Sequence, residues 1–326
     1  MKPTIGVLLG DPNGVGPEIA IKMLADPSVR EAANILVIGD PNVLKQGEKV
    51  TGLKLPVAVI DDPAEADYAG DTLAFLTVPG IDENDIAPGT VSAAAGRSCV
   101  LALKVALKLG QAQTIDGFCF APLNKQALGM GGASHPDEHV FFAHELNHDK
   151  PFGEHNVLGN LWTSRVTSHI ALKDVAEQIT ETNIIRATKL ACDTLTGAGI
   201  ANPRIGVCAL NPHAGDGGIF GREEIEAMGI NASGPFAADT IFVKAKDGAF
   251  DAVLTMYHDQ GQIAMKLMGF KQGVTVSGGH PVPITTPASG TAFDIVGKNV
   301  ASAEGLLKAF QLCARMGEVR RRKRAA

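Results

Sequence analysis

Three of the nine histidines stand where an apolar stretch gives way to polar residues. His169 lies in VTSHIALKD, His213 lies in LNPHAGDGG, and His258 follows the run AVLTMY. Neutral imidazole is the commonest protein ligand for a divalent metal, and three histidines that leave coordination positions open form a catalytic arrangement. The residues alone leave two interpretations open: one shared metal site, or three separate hydrogen-bonded histidines.

Short apolar runs alternate with longer amphipathic stretches along the chain, which predicts a mostly parallel sheet covered by helices. We predict buried strands at Ile5–Leu9, Ile35–Ile38, Gly117–Phe120, Ile205–Leu210 and Ala252–Met256. Apolar residues have helical spacing in Pro17–Leu24, Val91–Leu109 and Asn183–Leu195. Ligands of such sheets gather beyond the carboxyl ends of the strands, so polar residues that follow strands are where chemistry is expected.

The length of 326 residues favours two domains, and 45% hydrophobic residues suffice for a core. One Trp, two Tyr and a net charge of −6 argue against a nucleic-acid partner. No apolar stretch reaches the roughly eighteen residues of a membrane span. The chain starts in a strand-like run rather than in a charged and apolar leader, so a cytoplasmic location is expected.

We predict structural rather than catalytic or binding roles for the cysteines and for the basic C-terminus. The five cysteines lack CxxC spacing, and their mostly apolar surroundings favour reduced, buried thiols over disulfides. The run Arg320–Arg324 is terminal and isolated, which predicts a solvated, frayed helix end.

Two glycine-containing loops are candidates for ligand contact. Gly10–Ala20, GDPNGVGPEIA, joins a strand to a helix, but its glycine spacing does not match GxGxxG, so both a plain turn and a ligand contact stay open. Ala288–Lys298, ASGTAFDIVGK, is predicted to lead into a helix whose first backbone N–H groups could receive a cofactor phosphate. An ordinary capped helix start is the alternative there.

These stretches together resemble the PdxA family, the 4-hydroxythreonine-4-phosphate dehydrogenases of pyridoxal phosphate biosynthesis. The resemblance covers nearly the whole chain, through GDPNGVGPEI, APLNKQAL, TSHIALKDV, LNPHAGDGGIFGREE, GPFAADTIF, MYHDQGQIAMKLMGF and GTAFDIVGK. GTAFDIVGK is also similar to the cofactor loop of isocitrate and isopropylmalate dehydrogenases, which oxidise and decarboxylate β-hydroxy acids.

The resemblance implies an isocitrate/isopropylmalate dehydrogenase-like fold, with two α/β/α domains and a cleft between them. It implies a homodimer whose active site lies in the cleft, close to the dimer interface. We expect residues 1–127 and 290–326 to form the first domain. Residues 128–289 would form the second, with the metal site and the dimer interface.

The resemblance also implies the roles of named residues. A divalent metal (Zn, Mg, Mn or Co) would be held by His169, His213 and His258, with ligands shared between the two subunits. NAD or NADP would lie near Gly290, Thr291, Ala292 and Asp294. The candidates for proton transfer or for orienting a ligand are Asp259, Asp239 and Lys125. A structural salt bridge is the alternative role for either acid.

The sequence departs from the family in the substrate pocket. Glu138 and His139 occupy the places of a His-Thr pair, Thr275 replaces an Asn, and Ile284 aligns with an Arg, while Lys266 matches. Loss of the Arg removes a bidentate phosphate anchor. This favours a non-phosphorylated or differently charged hydroxy acid, or a cis-dihydrodiol, as the alternative substrate.

Other positions modify these expectations. Arg222 or Lys271 could replace the missing anchor. Ser289 stands where the family has a His, which affects the details of the cofactor contacts.

We therefore expect a metal-dependent, NAD(P)-dependent dehydrogenase, similar to the 4-hydroxythreonine-4-phosphate dehydrogenases, that oxidises a β-hydroxy acid with decarboxylation. The chemical reason is that a secondary alcohol loses hydride poorly at neutral pH, and a metal on its oxygen lowers its pKa. Two rivals are a metallohydrolase, which has no use for the dinucleotide loop, and an inert binding protein that retains the scaffold.

Overall fold

The computed structural model describes residues 2–135, 137–218, 231–269 and 272–325. It divides into two compact units, Met1–Asp149 with His280–Ala326, and Lys150–Gly279. The expected boundaries were 127/128 and 289/290. Residues 128–149 group with the first unit because Phe141 and Phe142 are buried in its core.

Each unit combines a sheet with helices, as predicted. The strands are β1 (Thr4–Leu8), β2 (Asn34–Gly39), β3 (Val57–Ile60), β4 (Leu73–Thr77), β5 (Gly117–Phe120), β6 (Gly153–Leu158), β7 (Leu161–Arg165), β8 (Ile205–Cys208), β9 (Ala232–Phe236), β10 (Ala252–Thr255), β11 (Val274–Gly278) and β12 (Ile284–Pro287). The helices are α1 (Gly16–Leu24), α2 (Pro27–Ala32), α3 (Pro41–Thr51), α4 (Ala93–Gln111), α5 (Lys125–Met130), α6 (Glu138–Glu145), α7 (Val175–Gln178), α8 (Glu181–Gly197), α9 (Ala238–Lys246), α10 (His258–Gly269) and α11 (Glu304–Ala325). All five predicted strands and all three predicted helices are present.

The sheet of the first unit has the order β3-β4-β2-β1-β5-β12, and all its neighbouring strands run parallel. Its central strands are nearly continuous apolar runs because side chains on both faces are buried. Val37, Phe75 and Phe118 are among the fully buried residues.

The sheet of the second unit has the order β11-β6-β7-β10-β8-β9. The pairs β11–β6 and β6–β7 are antiparallel, and the remaining pairs are parallel. The mostly parallel arrangement predicted from the sequence therefore holds fully for the first unit and for part of the second. The carboxyl ends of β7, β10 and β8 lie at one edge of this sheet.

The basic run at the C-terminus is docked through Arg320 and Arg324, whereas Arg322 and Lys323 are exposed, so the prediction of a solvated end holds for only part of the run. Arg320 donates to the carbonyl oxygens of Gly110 and Ile115, at 2.8 and 3.1 Å. Arg324 pairs with the buried carboxylate of Asp116, which also accepts from the backbone N–H of Thr4 at 2.9 Å. Because α11 packs along β5 and β12, one face of its last turns meets backbone acceptors instead of water.

Within the described ranges, no helix is long and apolar enough to cross a membrane. The five cysteines are free thiols, as predicted: Cys99, Cys119, Cys192, Cys208 and Cys313. Burial raises the pKa of the Cys208 and Cys313 thiols to about 12, so both are inert at neutral pH.

Candidate active site

The polar residues after β10 form the turn that leads into α10. The first residue of this helix is His258. Gln260 closes the turn, since its side chain accepts from the N–H of Met256 at 2.7 Å and donates to the carbonyl of Ala209 at 2.8 Å. His258 Nδ1 lies 2.7 Å from a carboxylate oxygen of Asp259. That contact fixes the Nδ1 side of the ring, which leaves Nε2 as the nitrogen available to a ligand.

His169 lies beside His258, with 5.8 Å between the ring centroids. The two residues follow neighbouring parallel strands, β7 and β10, whose carboxyl ends meet at the same sheet edge. The Thr167 backbone N–H and hydroxyl both donate to the carbonyl oxygen of Met256, at 3.1 and 2.8 Å. These bonds tie the segment that carries His169 to the segment that carries His258.

His213 follows β8 in the short 3-10 segment Pro212–Gly218, where its backbone φ is +54° and its side chain is exposed. In the part of the chain that the structure describes, no group of three His, Cys, Asp or Glu residues is close enough to hold a metal ion. The structure therefore brings together two of the three predicted metal ligands, and His213 is not close enough to complete a three-residue group with them.

A partly buried polar cluster lies against α10 and is formed by Glu154, Asn156, Arg165, Ser168 and Gln262. The Arg165 side chain is only 6% exposed and forms an ion pair with Glu154 at 2.7 Å. Its guanidinium also donates to Asn156 Oδ1 at 3.0 Å and to the Ser168 hydroxyl at 3.1 Å. Gln262 on α10 donates to the same Asn156 oxygen. The cluster thus joins α10 to the residue that precedes His169.

The two candidate loops in the first unit form one assembly. The N–H of Val15 donates to the carbonyl of Thr291 at 3.0 Å. Asn13 accepts from the N–H of Ala87 at 2.8 Å and donates to the carbonyl of Thr90 at 3.0 Å. The Gly10–Ala20 loop therefore lies directly against the predicted cofactor loop.

The helix expected after Thr291 does not form, so that prediction was wrong. Residues 293–297 form turns, and α11 begins only at Glu304. Ala292, Gly297 and Asn299 have φ values of +44°, +77° and +58°, which a right-handed helix does not accommodate. Gly290 and Asp294 are exposed, whereas Thr291 is buried and Ala292 is half-buried.

Asp11, which the sequence analysis did not single out, is a buried carboxyl group in the Gly10–Ala20 loop. It is 1% exposed, and one of its oxygens accepts from the N–H of Asn13 at 2.8 Å. Burial raises the pKa of Asp11 to about 6, although the bond from Asn13 opposes the rise. An acidic residue directly after an apolar strand was the available sequence signal.

The residues predicted to contact substrate lie in different surroundings. Glu138 and His139 begin α6 and are half-buried, whereas Lys266 on α10 is exposed. Thr275 on β11 is half-buried and accepts from Asn156 Nδ2 at 3.2 Å. Ile284 is 0% exposed and packs in the first unit's core.

The two residues considered as replacements for the missing phosphate anchor, Arg222 and Lys271, lie outside the described residues.

A family model described as pyridoxal phosphate biosynthetic protein PdxA matches residues 31–313. The chain belongs to the PdxA family. A protein of Pseudomonas aeruginosa, provisionally named 4-hydroxythreonine-4-phosphate dehydrogenase 2, is 46% identical to it over 97% of both chains. The D-threonate 4-phosphate dehydrogenase of Cupriavidus necator is 38% identical over 95% of this chain and 96% of its own.

Solved structures agree with this membership. The crystal structure of a 4-hydroxythreonine-4-phosphate dehydrogenase from Burkholderia phymatum is 38% identical, with a TM-score of 0.82 over 97% of this chain and 98% of that chain. An isocitrate dehydrogenase from Methylococcus capsulatus, 16% identical with a TM-score of 0.50 over 99% and 89% of the chains, shares the fold alone. The predicted isocitrate dehydrogenase-like α/β fold is confirmed.

As a PdxA-family member, the chain is an oxidoreductase that acts on a hydroxy group and uses a nicotinamide cofactor and a metal. This argues against the rival metallohydrolase. The described residues supply two of the three nitrogen ligands expected for a divalent metal. Two adjacent imidazoles supply nitrogen donors, and a carboxylate orients one of them, as is usual for metal-binding histidines.

The remaining candidates for proton transfer lie in both units of this PdxA-family chain. Asp239 is exposed in the first turn of α9, in the second unit. Lys125 is exposed at the start of α5, in the first unit. Lys125 acts electrostatically on Asp137, the N-cap of α6. Burial alone would raise the pKa of Asp137, but His139, two backbone N–H donors and Lys125 hold it below its usual range.

A second group of histidines surrounds α6 and was not singled out from the sequence. The rings of His148 and His280 are 5.6 Å apart, and Phe142 lies 6.1 Å from His280. Burial, with a smaller contribution from the neighbouring His139 and His148, lowers the pKa of His280 to about 3. His280 is therefore neutral throughout the physiological range.

Proposed function

We propose that this chain oxidises the hydroxy group of a small phosphorylated hydroxy acid with NAD or NADP, with loss of CO2 where a carboxylate lies beta to the new ketone. The observation that carries the proposal is the His169–His258 pair, with its 5.8 Å ring separation, in a chain of the PdxA family. The relatives' names, for 4-hydroxythreonine 4-phosphate and D-threonate 4-phosphate, favour a phosphorylated substrate over the plain hydroxy acid or cis-dihydrodiol.

In the proposed reaction, the alcohol carbon gives a hydride to the nicotinamide and the alcohol oxygen gives a proton to a base. A bound divalent metal (Zn, Mg, Mn or Co) would supply Lewis acidity that lowers the pKa of the alcohol. His169 and His258 would bind it, and Asp259 would hold the His258 ring in place. Asp239 and Lys125 are the proposed groups that accept or relay the proton.

We propose that a second copy of the chain completes the metal site, with His213 and the His169–His258 pair coming from different subunits. The surroundings of the pair support this. Ile170 directly follows His169, and Ile263 and Leu267 lie on the exposed face of α10, with Leu267 84% exposed. Exposed apolar side chains next to polar groups are typical of a protein–protein contact.

For the cofactor, we propose that NAD or NADP binds against Gly290, Thr291, Ala292 and Asp294. The bond from Val15 to Thr291 supports this because it fixes the loop in place. An added Cβ at Gly290 would meet no atom within 4 Å, so space lies over that residue. A cytoplasmic location stays a prediction.

The test is nicotinamide reduction by purified protein, with D-threonate 4-phosphate, 4-hydroxythreonine 4-phosphate and their unphosphorylated forms as substrates. We expect turnover of a phosphorylated compound that a chelator abolishes and a divalent metal restores. His258→Ala should be inactive, whereas His144→Ala, which changes an exposed histidine on α6, should stay active. Full activity after chelation would contradict the metal-dependent reaction, and hydrolysis without nicotinamide reduction would favour the hydrolase.

A further inference from the structure

One face of α1 holds the segment that contains the predicted cofactor loop. This segment, residues 288–303, is described throughout and joins β12 to α11 without a helix or strand of its own. Val15 is the N-cap of α1, and its N–H donates to the carbonyl of Thr291 near the start of the segment. Glu18 and Lys22 follow at intervals of three and four residues, which places all three positions on one face of the helix. The contacts extend over about two helical turns.

Glu18 and Lys22 bind the other end of this segment through a closed set of hydrogen bonds. Glu18 Oε1 accepts from Lys22 Nζ at 2.8 Å and from the N–H of Ala301 at 2.9 Å. Lys22 Nζ also donates to the carbonyl oxygens of Ala301 and Asn299, at 2.9 and 3.3 Å. Both polar backbone groups of Ala301 are thus bound to α1.

The ammonium group of Lys22 uses all its donors within the chain. It carries three N–H groups, and Glu18, Asn299 and Ala301 supply three acceptors. A phosphate of the cofactor would have to displace one of these bonds. Lys22 is therefore suited to fix the position of the segment rather than to bind a phosphate itself.

Glu18 is more deeply buried than an ordinary surface ion pair. Its side chain is 2% exposed, against 25% for Lys22, and in the described part of the chain its Oε2 has no hydrogen-bond partner. Burying a carboxylate oxygen without a partner costs free energy, and a buried ion pair often stabilises a fold no more than an apolar pair does. Stability alone therefore gives no reason for this charge, which favours a role in fixing one arrangement of the segment.

We infer that Glu18 and Lys22 are positioning residues for the dinucleotide: they hold residues 288–303 in the arrangement that binds NAD or NADP, without contacting the cofactor. The inference rests on the proposed function, because it requires the cofactor to bind at residues 290–294. With Thr291 bound at one end and Ala301 at the other, the turns between them are held at both ends. A loop ordered before binding loses less entropy when the ligand binds, which raises affinity.

The first measurement is amide hydrogen exchange by mass spectrometry in the full-length protein without cofactor. Lys22→Met keeps an unbranched side chain but removes the three donors, so peptides that cover 288–303 should exchange about tenfold faster. Glu18→Gln keeps an oxygen that can accept from Ala301 and Lys22, so it should change the exchange less than Glu18→Ala does. Exchange in Lys22→Met as slow as in wild type would overturn the inference.

Glu48 on α3 provides a matched control. It is buried, accepts from the N–H of Leu55 at 3.1 Å and pairs with Lys54 at 2.6 Å, so it holds a different segment in the same manner. Glu48→Ala should speed exchange around Leu55 and leave both residues 288–303 and the dinucleotide affinity unchanged. If Glu48→Ala loosened residues 288–303 as much as Glu18→Ala does, the effect would be a general loss of stability and the inference would fail.

The second measurement is steady-state kinetics of the metal-loaded protein. We expect Lys22→Met to raise KM and Kd for the dinucleotide by about tenfold, while kcat at saturating dinucleotide stays within about twofold of wild type. A residue with a purely structural role would not separate KM from kcat in this way. A thermal melt checks the fold, and Lys22→Met decides the matter if Glu18→Ala does not fold.

The outcomes separate the inference from the proposed function. Faster exchange of residues 288–303 with an unchanged Kd for both dinucleotides would overturn the inference and leave the dehydrogenase intact. A wild type that neither binds nor reduces a nicotinamide dinucleotide would instead remove the proposed function, and the inference with it.

Discussion

His258 Nδ1 and Asp259 Oδ1 are 2.7 Å apart, so a carboxylate orients the imidazole from the adjacent position in the chain. Carboxylates that hold metal-binding histidines in this way typically contribute 10- to 100-fold to metal affinity. We predict that Asp259→Asn weakens binding of Co²⁺ or Zn²⁺ by about that factor, measured by calorimetric titration of the apo-protein. Asp247→Asn, at an exposed position after α9, should leave the affinity unchanged. An unchanged affinity in Asp259→Asn would contradict a role of this carboxylate in metal binding.

The shared metal site can be tested by mixing two inactive variants. His213→Ala and His169→Ala should each be inactive alone. If His213 comes from the partner subunit, a mixed dimer retains one complete site, and random exchange should restore roughly a quarter of wild-type activity. The measurement is activity after the two variants are unfolded and refolded together. If the mixture stays inactive although mixed dimers form, all three ligands belong to one chain.

The buried carboxyl of Asp11 and the buried imidazole of His280 should give the stability opposite pH dependences. Burial raises the pKa of Asp11 from 3.8 to about 6, so between these values the folded state binds more protons and stability falls as pH rises. The pKa of His280 falls from 6.5 to about 3, so the unfolded state binds more protons and stability rises with pH. The two slopes offset each other where their ranges overlap.

Asp11→Asn should therefore reveal the acid sensitivity due to His280. We expect the variant to lose stability more steeply than wild type between pH 6 and pH 4. At neutral pH it should gain up to about 3 kcal/mol, since one pKa unit corresponds to about 1.4 kcal/mol. Urea unfolding at a series of pH values measures both effects. His280→Asn should show the reverse change of slope. Parallel profiles for wild type and Asp11→Asn would contradict the raised pKa.

The sequence predicted the strands and helices because their apolar runs are local signals, but it could not predict contacts set by strand register. Asn156 and Thr275 are 119 positions apart, and their contact exists only because β6 pairs with β11. The helix expected after Thr291 does not form, since Ala292, Gly297 and Asn299 have positive φ values that a right-handed helix does not accommodate. Local patterns carry no information about either arrangement.

The predictions of the metal site and of the C-terminal run were also limited by contacts between residues that are distant in the sequence. The sequence indicated that His169, His213 and His258 each end an element, and the structure places the rings of His169 and His258 together. The position of His213 outside this pair within one chain is not a local property, and only the family resemblance, with its ligands shared between subunits, suggested it. The run Arg320–Arg324 looks solvated in isolation, since nothing local reveals the buried Asp116 that α11 meets.

Asp116 should therefore be important for stability. It is buried, and its carboxylate meets Arg324 and the N–H of Thr4. Asp116→Ala would leave Arg324 without its partner and the Thr4 N–H without an acceptor, so we predict a loss of about 3 kcal/mol in the free energy of unfolding. Glu318→Ala removes the exposed partner of Arg322 and should cost below about 1 kcal/mol. If both variants lost the same free energy of unfolding, the contact between Asp116 and the basic run would not stabilise the fold.

Substitutions at two glycines can distinguish direct contact with the cofactor from an effect on the position of the cofactor loop. An added Cβ at Gly14 would lie 2.9 Å from Thr291 Cβ, so Gly14→Ala must displace the predicted cofactor loop. An added Cβ at Gly290 meets no protein atom within 4 Å, so Gly290→Ala disturbs only a ligand that lies over it. We predict that both variants weaken NAD or NADP binding by about tenfold or more, and that only Gly14→Ala lowers the melting temperature.

Fluorescence titration with each dinucleotide and a thermal melt measure these two effects. Gly129→Ala is the matched control, because its added Cβ also meets no atom within 4 Å and it lies on α5, away from the loop. If Gly290→Ala binds both dinucleotides as wild type does while Gly14→Ala does not, the loop has only a supporting role. The nicotinamide cofactor would then bind to other residues of the chain.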